Sequence, residues 1–387
     1  MKNSTRGLVD PFIVMDVTEA ARKAEAEGRH IIHMEVGQPG TGAPKAALDD
    51  LARQMQTDAL GYTVGLGLPA LRSRIARHYG DWYGLDLDPG RVVITSGASG
   101  AFLLAFTALF DSGARVGLGE PCYPSYRQIL KALDLVPVGI RTTMAARLQP
   151  VAGDVTGHDL DGLIVASPSN PTGTMLDRPA LQSLADACVG AEVSLISDEI
   201  YHGLSYGGRA VSALEVIDEV YVINSFSKYF SMTGWRVGWM VVPEDHVRII
   251  ERLAQNMFIC APHAAQSLAL AAMGCAPELD ANVAVYATNR DLLLDGLAKA
   301  GFATLAPPDG AFYIYADVSA YTDNSLAFAA EVLAEAGVAV TPGLDFDPVE
   351  GHRWLRFSYA RSTADIAEGV DRLVRFMRDR APLMRPA

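Results

Sequence analysis

Between Val92 and Val242 short β-type runs alternate with helical stretches, and this alternation restricts the possible folds more than any other feature of the chain. Runs rich in Val, Ile and Leu stand at 92–95, 114–118, 136–140, 163–166, 193–197, 221–224 and 237–242. Helical segments separate several of them, at about 100–110, 123–133 and 179–187. Strands joined through helices cannot pair as tight hairpins; they lie parallel, with the helices covering both faces of the sheet. The expected fold class is therefore α/β, a large domain with a mostly parallel sheet flanked by helices.

Outside this stretch the pattern changes. A helix is expected over 11–27, ended by Gly28. A strand over 31–36 then runs into Gly37-Gln-Pro-Gly40, and helices follow over 44–57 and 68–83. Two long helices are read over 256–273 and 281–300. After them come strands at 302–305, 311–316, 338–341 and 353–358 and a last helix over 363–380. A chain of 387 residues exceeds what one simple core usually serves. The division expected is a large domain over 45–280 and a smaller α+β domain from 1–44 and 281–387.

Charge and cysteine usage narrow the function. The net charge of −13 argues against nucleic acid and anionic membrane surfaces as partners. An anionic ligand would then need a local set of cationic and amide donors. The four cysteines, Cys122, Cys188, Cys260 and Cys275, have neither zinc-ligand nor CxxC spacing, so no metal site and no disulfide framework is expected. The N-terminus lacks the apolar core of a signal peptide, and stretches such as 101–110 are too short to span a bilayer. A cytoplasmic protein fits these features.

Lys228 is the most unusual residue. The chain has only five other lysines, and this one stands in an apolar and aromatic run, Ser225-Phe-Ser-Lys228-Tyr-Phe, with Arg236 eight residues on. A desolvated ammonium is costly unless it is paired, depressed in pKa or covalently converted, for example to a Schiff base with an aldehyde cofactor. A structural ion pair is the alternative. Four further segments end predicted strands or open predicted helices, where parallel sheets collect ligands. Thr95-Ser-Gly-Ala-Ser-Gly-Ala101 offers small residues and a helix start to an anion, although such turns are common. It has neither the lysine of a P-loop nor GxGxxG spacing, which leaves a single-phosphate site as the functional reading. Ser167-Pro-Ser-Asn-Pro-Thr-Gly173 holds an asparagine that is either a ligand or a turn residue. Ser197-Asp-Glu-Ile-Tyr201 places Asp198 at a strand end, facing a cation or capping a helix. Arg356, in Trp354-Leu-Arg-Phe-Ser358, either meets a carboxylate or lies on an exposed strand face.

Taken in order, SPSNPTG, SDEIY and SFSKxxxxxGWRVG resemble the signature segments of the class I/II aminotransferases, pyridoxal-phosphate enzymes of fold-type I. The resemblance runs from Val36-Gly37 to Arg356. It implies that Lys228 forms the Schiff base with pyridoxal 5'-phosphate and shuttles the proton. It implies that Asp198 pairs with the pyridine nitrogen, and that Asn170 and Tyr201 hydrogen-bond the ring's phenolic oxygen. Tyr123 would stack on the ring. Ala98, Ser99, Ser225, Arg236 and Ser227 would form the phosphate cup, and Tyr62 would reach the phosphate of a neighbouring subunit in a homodimer. Arg356, with Gly37 and Asn170, would hold the substrate carboxylate. The implied activity is transfer of an amino group between an aromatic, aliphatic or dicarboxylic L-amino acid and a 2-oxo acid. A carbon–sulfur β-lyase using the same cofactor is the alternative. The 100–110 helix carries no Lys or Arg for a second substrate carboxylate, although Arg127 or a partner's arginine could supply one. Phe12, Ile13, Tyr123, Phe226 and Phe258 are the apolar candidates for a substrate side chain. A DNA-binding aminotransferase-like regulator would need an N-terminal helix-turn-helix domain, and only about thirty residues precede the strand at Ile31.

Overall fold

A computed structural model describes residues 1–383. In chain order the elements of the first half are α1 (Ile13–Ala26), β1 (Ile32–His33), α2 (Lys45–Gln54), α3 (Pro69–Tyr83), β2 (Val92–Thr95), α4 (Gly97–Leu109), β3 (Arg115–Glu120), α5 (Pro124–Ala132), β4 (Val136–Arg141), α6 (Ala152–Gly157), β5 (Gly162–Ala166) and α7 (Arg178–Gly190). The second half continues with β6 (Ser194–Asp198), β7 (Tyr221–Ser225), β8 (Gly238–Val241), α8 (Val247–Met257), α9 (His263–Ala272), α10 (Ala276–Lys299), β9 (Tyr313–Asp317), α11 (Ser325–Glu331), β10 (Val338–Ala339), β11 (Thr341–Pro342), β12 (Trp354–Ser358) and α12 (Thr363–Met377).

Seven strands form the central sheet in the order β2-β8-β7-β6-β5-β3-β4. β8 runs antiparallel to both its neighbours, and the remaining pairs are parallel. β2, β7 and β8 are buried along their whole length, as expected of strands covered on both faces. Local chemistry starts and stops the helices. Proline opens α3, α5 and α7, where its missing N–H costs nothing. The Asp177 side chain caps α7 through the Ala180 amide at 2.9 Å. Gly84, left-handed at φ 71°, closes α3. A second sheet, β11-β12-β9, is antiparallel, and β1 pairs in parallel with β10.

Several expected elements differ. The long helix expected over 256–273 is two helices, because the chain leaves α8 after Met257 and re-enters at α9. Ile259 takes a left-handed φ of 66° in the gap. Pro262, at the cap of α9, has no N–H to continue a helix. The strand expected over 31–36 pairs only at Ile32 and His33. The Glu35 and Gly37 carbonyls beyond it accept side-chain donors instead: Thr341 Oγ1 at 2.9 Å, the Arg356 guanidinium, and Lys228 Nζ at 2.6 Å. The expected strand over 302–305 reduces to one bridge, Leu305 to Ala316. The one over 338–341 divides between two sheets as β10 and β11. α6, α8 and α11 were not expected as separate helices.

No single helix among the described residues is long and apolar enough to cross a membrane. The described residues hold no cluster of His, Cys, Asp or Glu that could bind a metal ion.

Candidate active site

The strands β2, β3, β5, β6 and β7 all end at one edge of the central sheet. The antiparallel β8 starts there. This edge supplies Ala98 and Ser99 after β2, Tyr123 after β3, Asn170 after β5, Asp198 at the tip of β6, Ser225, Ser227 and Lys228 from β7 onward, and Arg236 just before β8. Val36 and Gly37 come in after β1, with Tyr313 from β9 and Arg356 from β12. Together they line one cavity. Every residue to which the resemblance gave a cofactor or substrate-carboxylate role lines it except Tyr62, which is 83 % exposed and lies outside it.

Lys228 projects into this cavity and donates to the Gly37 carbonyl at 2.6 Å. Its ammonium stands 5.5 Å from the centre of the Tyr201 ring and 5.8 Å from that of Phe312. Burial, then the positive charge of Arg356, brings its pKa down to about 7, and Asp198 opposes the fall only in part. A large share of this amine is therefore unprotonated near neutral pH.

Asp198 is 2 % exposed. One carboxylate oxygen accepts the Ile200 amide at 3.1 Å and the other accepts the Tyr126 hydroxyl. Burial raises its pKa to about 6, while these two hydrogen bonds and Lys228 favour the anion. Tyr201 shares a hydrogen bond of 2.8 Å with the Tyr313 hydroxyl.

At the end of the cavity beside α4, Gly97 opens that helix at φ 74°, a conformation side chains disfavour. A methyl group there would also sit 2.4 Å from Arg236 Nη2, so the guanidinium packs against bare backbone. Ser225 Oγ donates to Ser227 Oγ at 2.8 Å. Arg236 is exposed at the rim and donates to the Thr233 carbonyl at 3.0 Å.

Arg356 is 3 % exposed. It donates to Asn170 Oδ1 at 2.8 Å, to Thr341 Oγ1 at 3.2 Å and to the Glu35 carbonyl. The Tyr313 and Phe346 ring centres lie 4.4 and 4.7 Å from its guanidinium carbon. Its Nε has no partner, and no carboxylate pairs with it among the described residues. Gly37 must be bare: a methyl group would fall 1.8 Å from the Tyr313 hydroxyl.

Residues that sequence reasoning gave no role complete the framework. Tyr126 and Tyr313 bond Asp198 and Tyr201. His202 donates from Nε2 to the Ser167 carbonyl at 2.9 Å and accepts the Tyr83 hydroxyl at Nδ1, 2.6 Å away. Burial drives its pKa down to about 3, so it is neutral, and the carbonyl fixes which nitrogen carries the proton. This anchors the loop that carries Asn170. The Asp345 carboxylate accepts the Ile13 and Val14 amides at 2.9 and 3.2 Å, capping α1 from a distant turn. It thereby sets Phe12, Val14 and Met15 at the cavity wall.

Of the apolar candidates for substrate contact, Phe12 and Tyr123 line the cavity; Ile13, Phe226 and Phe258 do not. Phe226 packs in the core against Phe230 and Trp239. Arg127 is also outside the cavity, ion-paired with Glu120 at 2.6 Å.

Residues 29–373 match the family described as aminotransferase class I and II. This chain belongs to that family. It is 45% identical over 374 residues to the valine–pyruvate aminotransferase of Mycobacterium tuberculosis, covering 95% of this chain and 96% of the relative. It is 31% identical to the aspartate aminotransferase of Geobacillus stearothermophilus, covering 96% and 97%. A solved chain from Silicibacter pomeroyi superimposes with a TM-score of 0.94 at 68% identity, over 98% and 100% of the two chains. The chain is an aminotransferase, and neither curated relative bears a lyase name. Class I and II aminotransferases as a family depend on pyridoxal phosphate.

Proposed function

We propose that this aminotransferase holds pyridoxal phosphate in the cavity and moves an amino group from an L-amino acid to a 2-oxo acid in two half-reactions. The observation that carries the substrate half of this reading is Arg356, a buried guanidinium that forms no ion pair among the described residues. A buried cation left unpaired is costly, so a ligand carboxylate is its natural complement. The donor set fits the cofactor by its chemistry. It comprises a partly neutral amine, a buried acid, an aromatic ring at Tyr123, and a cluster of hydroxyls, helix amides and one guanidinium for a phosphate.

When bound, the cofactor offers an aldehyde to an amine and a cationic ring that draws electrons from the bond to be broken. Lys228 would join that aldehyde and, once displaced by substrate, act as the base that moves the proton from the substrate's α-carbon. Such a positioned base contributes about 10²–10⁴-fold. Asp198 would hold the ring nitrogen's proton. Asn170 and Tyr201 would hydrogen-bond the phenolic oxygen. Ala98, Ser99, Ser225, Ser227 and Arg236 would hold the phosphate. Arg356, with Gly37 and Asn170, would orient the substrate carboxylate. We draw the division of the chain as 45–280, which holds the cofactor, and 1–44 with 281–387, which bring Gly37 and Arg356 to it.

For the substrate side chain, the reading favours uncharged donors. Phe12, Val14, Met15, Val36 and Ile129 make an apolar wall, and Lys228, Arg236 and Arg356 are the cations lining the cavity among the described residues. Arg127 is already neutralised by Glu120. A panel of amino donors against pyruvate and 2-oxoglutarate should show aliphatic or aromatic amino acids ahead of aspartate by roughly 10–200-fold in kcat/KM, the range an apolar pocket provides. Equal rates with aspartate would mean that a cation from elsewhere serves the second carboxylate. The Mycobacterium tuberculosis relative, named for valine, agrees with an aliphatic donor.

A homodimer belongs to the same reading. Tyr62 is exposed, as are the apolar residues Val64 at 56 % and Ile259 at 51 %. Its loop is tied down by His263 on the Gly61 carbonyl at 2.8 Å and by Gln266 on Thr63 at 3.1 Å. Tyr62 would reach the phosphate in the neighbouring copy, next to the exposed Arg236. Light scattering should give twice the chain mass, and Tyr62→Phe should weaken pyridoxal phosphate binding by about ten-fold, as for one hydrogen bond to a charged group. A monomer that binds cofactor normally would remove this role. The four free cysteines suit a reducing, cytoplasmic setting.

A further inference from the structure

The start of α5 carries two tyrosines three residues apart, Tyr123 at its cap and Tyr126 in its first turn. Their rings meet edge to face with centres 5.4 Å apart. Tyr123 lines the cavity wall. Tyr126 reaches past it to the tip of β6 and donates its hydroxyl to the Asp198 carboxylate. The Tyr126 ring is fixed from the other side by Phe102 of α4, 4.9 Å away, and the residue is 3 % exposed.

The direction of this hydrogen bond is determined. Burial and the neighbouring Asp198 charge hold the Tyr126 hydroxyl well above its ordinary pKa, so it keeps its proton and can only donate to the anion. A hydrogen bond to the charged form of an acid favours that form. Among the described residues the titratable groups facing Asp198 are few: Tyr126 of α5 and Tyr123 at its cap, Tyr201, and Lys228, the one cation acting on it. Lys228 is itself partly neutral near pH 7 and would be covalently engaged with the bound cofactor until substrate displaces it. Its help to the anion is therefore intermittent, whereas the Tyr126 hydroxyl is always present. The Ile200 amide at 3.1 Å supplies the second constant donor.

We infer that Tyr126 is a positioning residue of this aminotransferase that keeps Asp198 ionised and aimed into the cavity, and so governs how firmly the cofactor's ring nitrogen stays protonated. The second clause rests on the proposed pairing of Asp198 with that nitrogen. Without the Tyr126 hydroxyl the carboxylate becomes the stronger base. The shared proton then moves toward Asp198, and the ring loses the positive charge that makes it an electron sink. One helix start thus serves both the face of the ring, through Tyr123, and its nitrogen end, through Tyr126.

The test is Tyr126→Phe, which keeps the ring between Phe102 and Tyr123, with near-ultraviolet circular dichroism to show that the fold is retained. In the cofactor-free protein, the carboxyl stretch of Asp198, found by infrared difference against Asp198→Asn, should titrate at higher pH in Tyr126→Phe than in the parent. Fluorotyrosine placed at 126, whose more acidic hydroxyl donates more strongly, should move it lower and guards against misfolding of the first variant. With pyridoxal phosphate labelled with ¹⁵N at the ring, the nitrogen signal of Tyr126→Phe should move toward unprotonated pyridine. Its kcat should fall about ten-fold with little change in KM. An unchanged Asp198 titration in both variants overturns the inference. A titration that moves while the ring signal stays still supports Tyr126 as the residue that sets the charge of Asp198. In that outcome it is the ring-nitrogen pairing that fails.

Discussion

Lys228→Ala is expected to end turnover, with a loss of at least about 10²–10⁴-fold, because the same amine would serve as attachment point and as base. The fold should survive, since among the described residues this side chain makes a single hydrogen bond, to the Gly37 carbonyl. Mass spectrometry after borohydride treatment is the direct check. The parent should gain the mass of one reduced cofactor per chain, and the variant should gain none. The low pKa of Lys228 adds a pH dependence with a definite sign. Its ordinary value of 10.5 would leave almost no free amine at neutral pH, whereas a value of about 7 leaves roughly half. Covalent capture of pyridoxal phosphate by cofactor-free protein should therefore quicken as pH rises through about 7 and level off above it. A rate still climbing toward pH 10 would mean that the ammonium is not desolvated as the structure has it. Near-normal transamination by Lys228→Ala would end the proposed role altogether.

Lys228 could be found from sequence because its chemistry conflicts with its surroundings. A lysine among Phe, Tyr and Trp needs a reason, and so does an acid at the tip of a buried strand. Arg356 in an apolar β run is the same kind of anomaly. Tyr126 and Tyr313 are not anomalous. A tyrosine in an aromatic stretch reads as packing, and only its hydroxyl partner reveals more. Those partners lie 72 and 112 residues away along the chain. Asp345 is harder still: it caps a helix more than 300 residues earlier, and nothing near it in sequence marks it as a cap.

The fold divides along the same line. The β/α alternation was legible because parallel strands buried on both faces read as apolar runs, and prolines and glycines punctuate the helices. The antiparallel direction of β8 was not legible, since an apolar run carries no sign of direction. Short strands failed for a related reason. Residues 34–36 look like the continuation of β1, but the Glu35 carbonyl and that of Gly37 just beyond are taken by Arg356, Thr341 and Lys228, so the site itself ends the strand. Strand propensity was overridden there by the partners available in three dimensions.

The second large effect is expected at Asp198. Asp198→Asn should fold, because the amide keeps the size of the side chain and its oxygen can still accept from Ile200 or Tyr126. It removes a buried charge whose formation burial already opposes. Stability should therefore change little, or rise slightly, near neutral pH. Pyridoxal phosphate should still be captured, since Lys228 and the phosphate donors are untouched. What should disappear is turnover, by about 10²–10³-fold, the size of effect found when one preorganised electrostatic group is lost from a water-excluded site. The loss should fall on kcat and on kcat/KM alike, because the charge would act on the transition state and not on the substrate carboxylate that Arg356 is proposed to hold. Arg356→Gln should show the opposite division, raising KM for amino acid and oxo acid while leaving covalent capture of the cofactor intact. Measured side by side, the two variants separate electron withdrawal from substrate binding. Full turnover in Asp198→Asn would mean that another group keeps the ring protonated, and the described cavity offers no other carboxylate to do so.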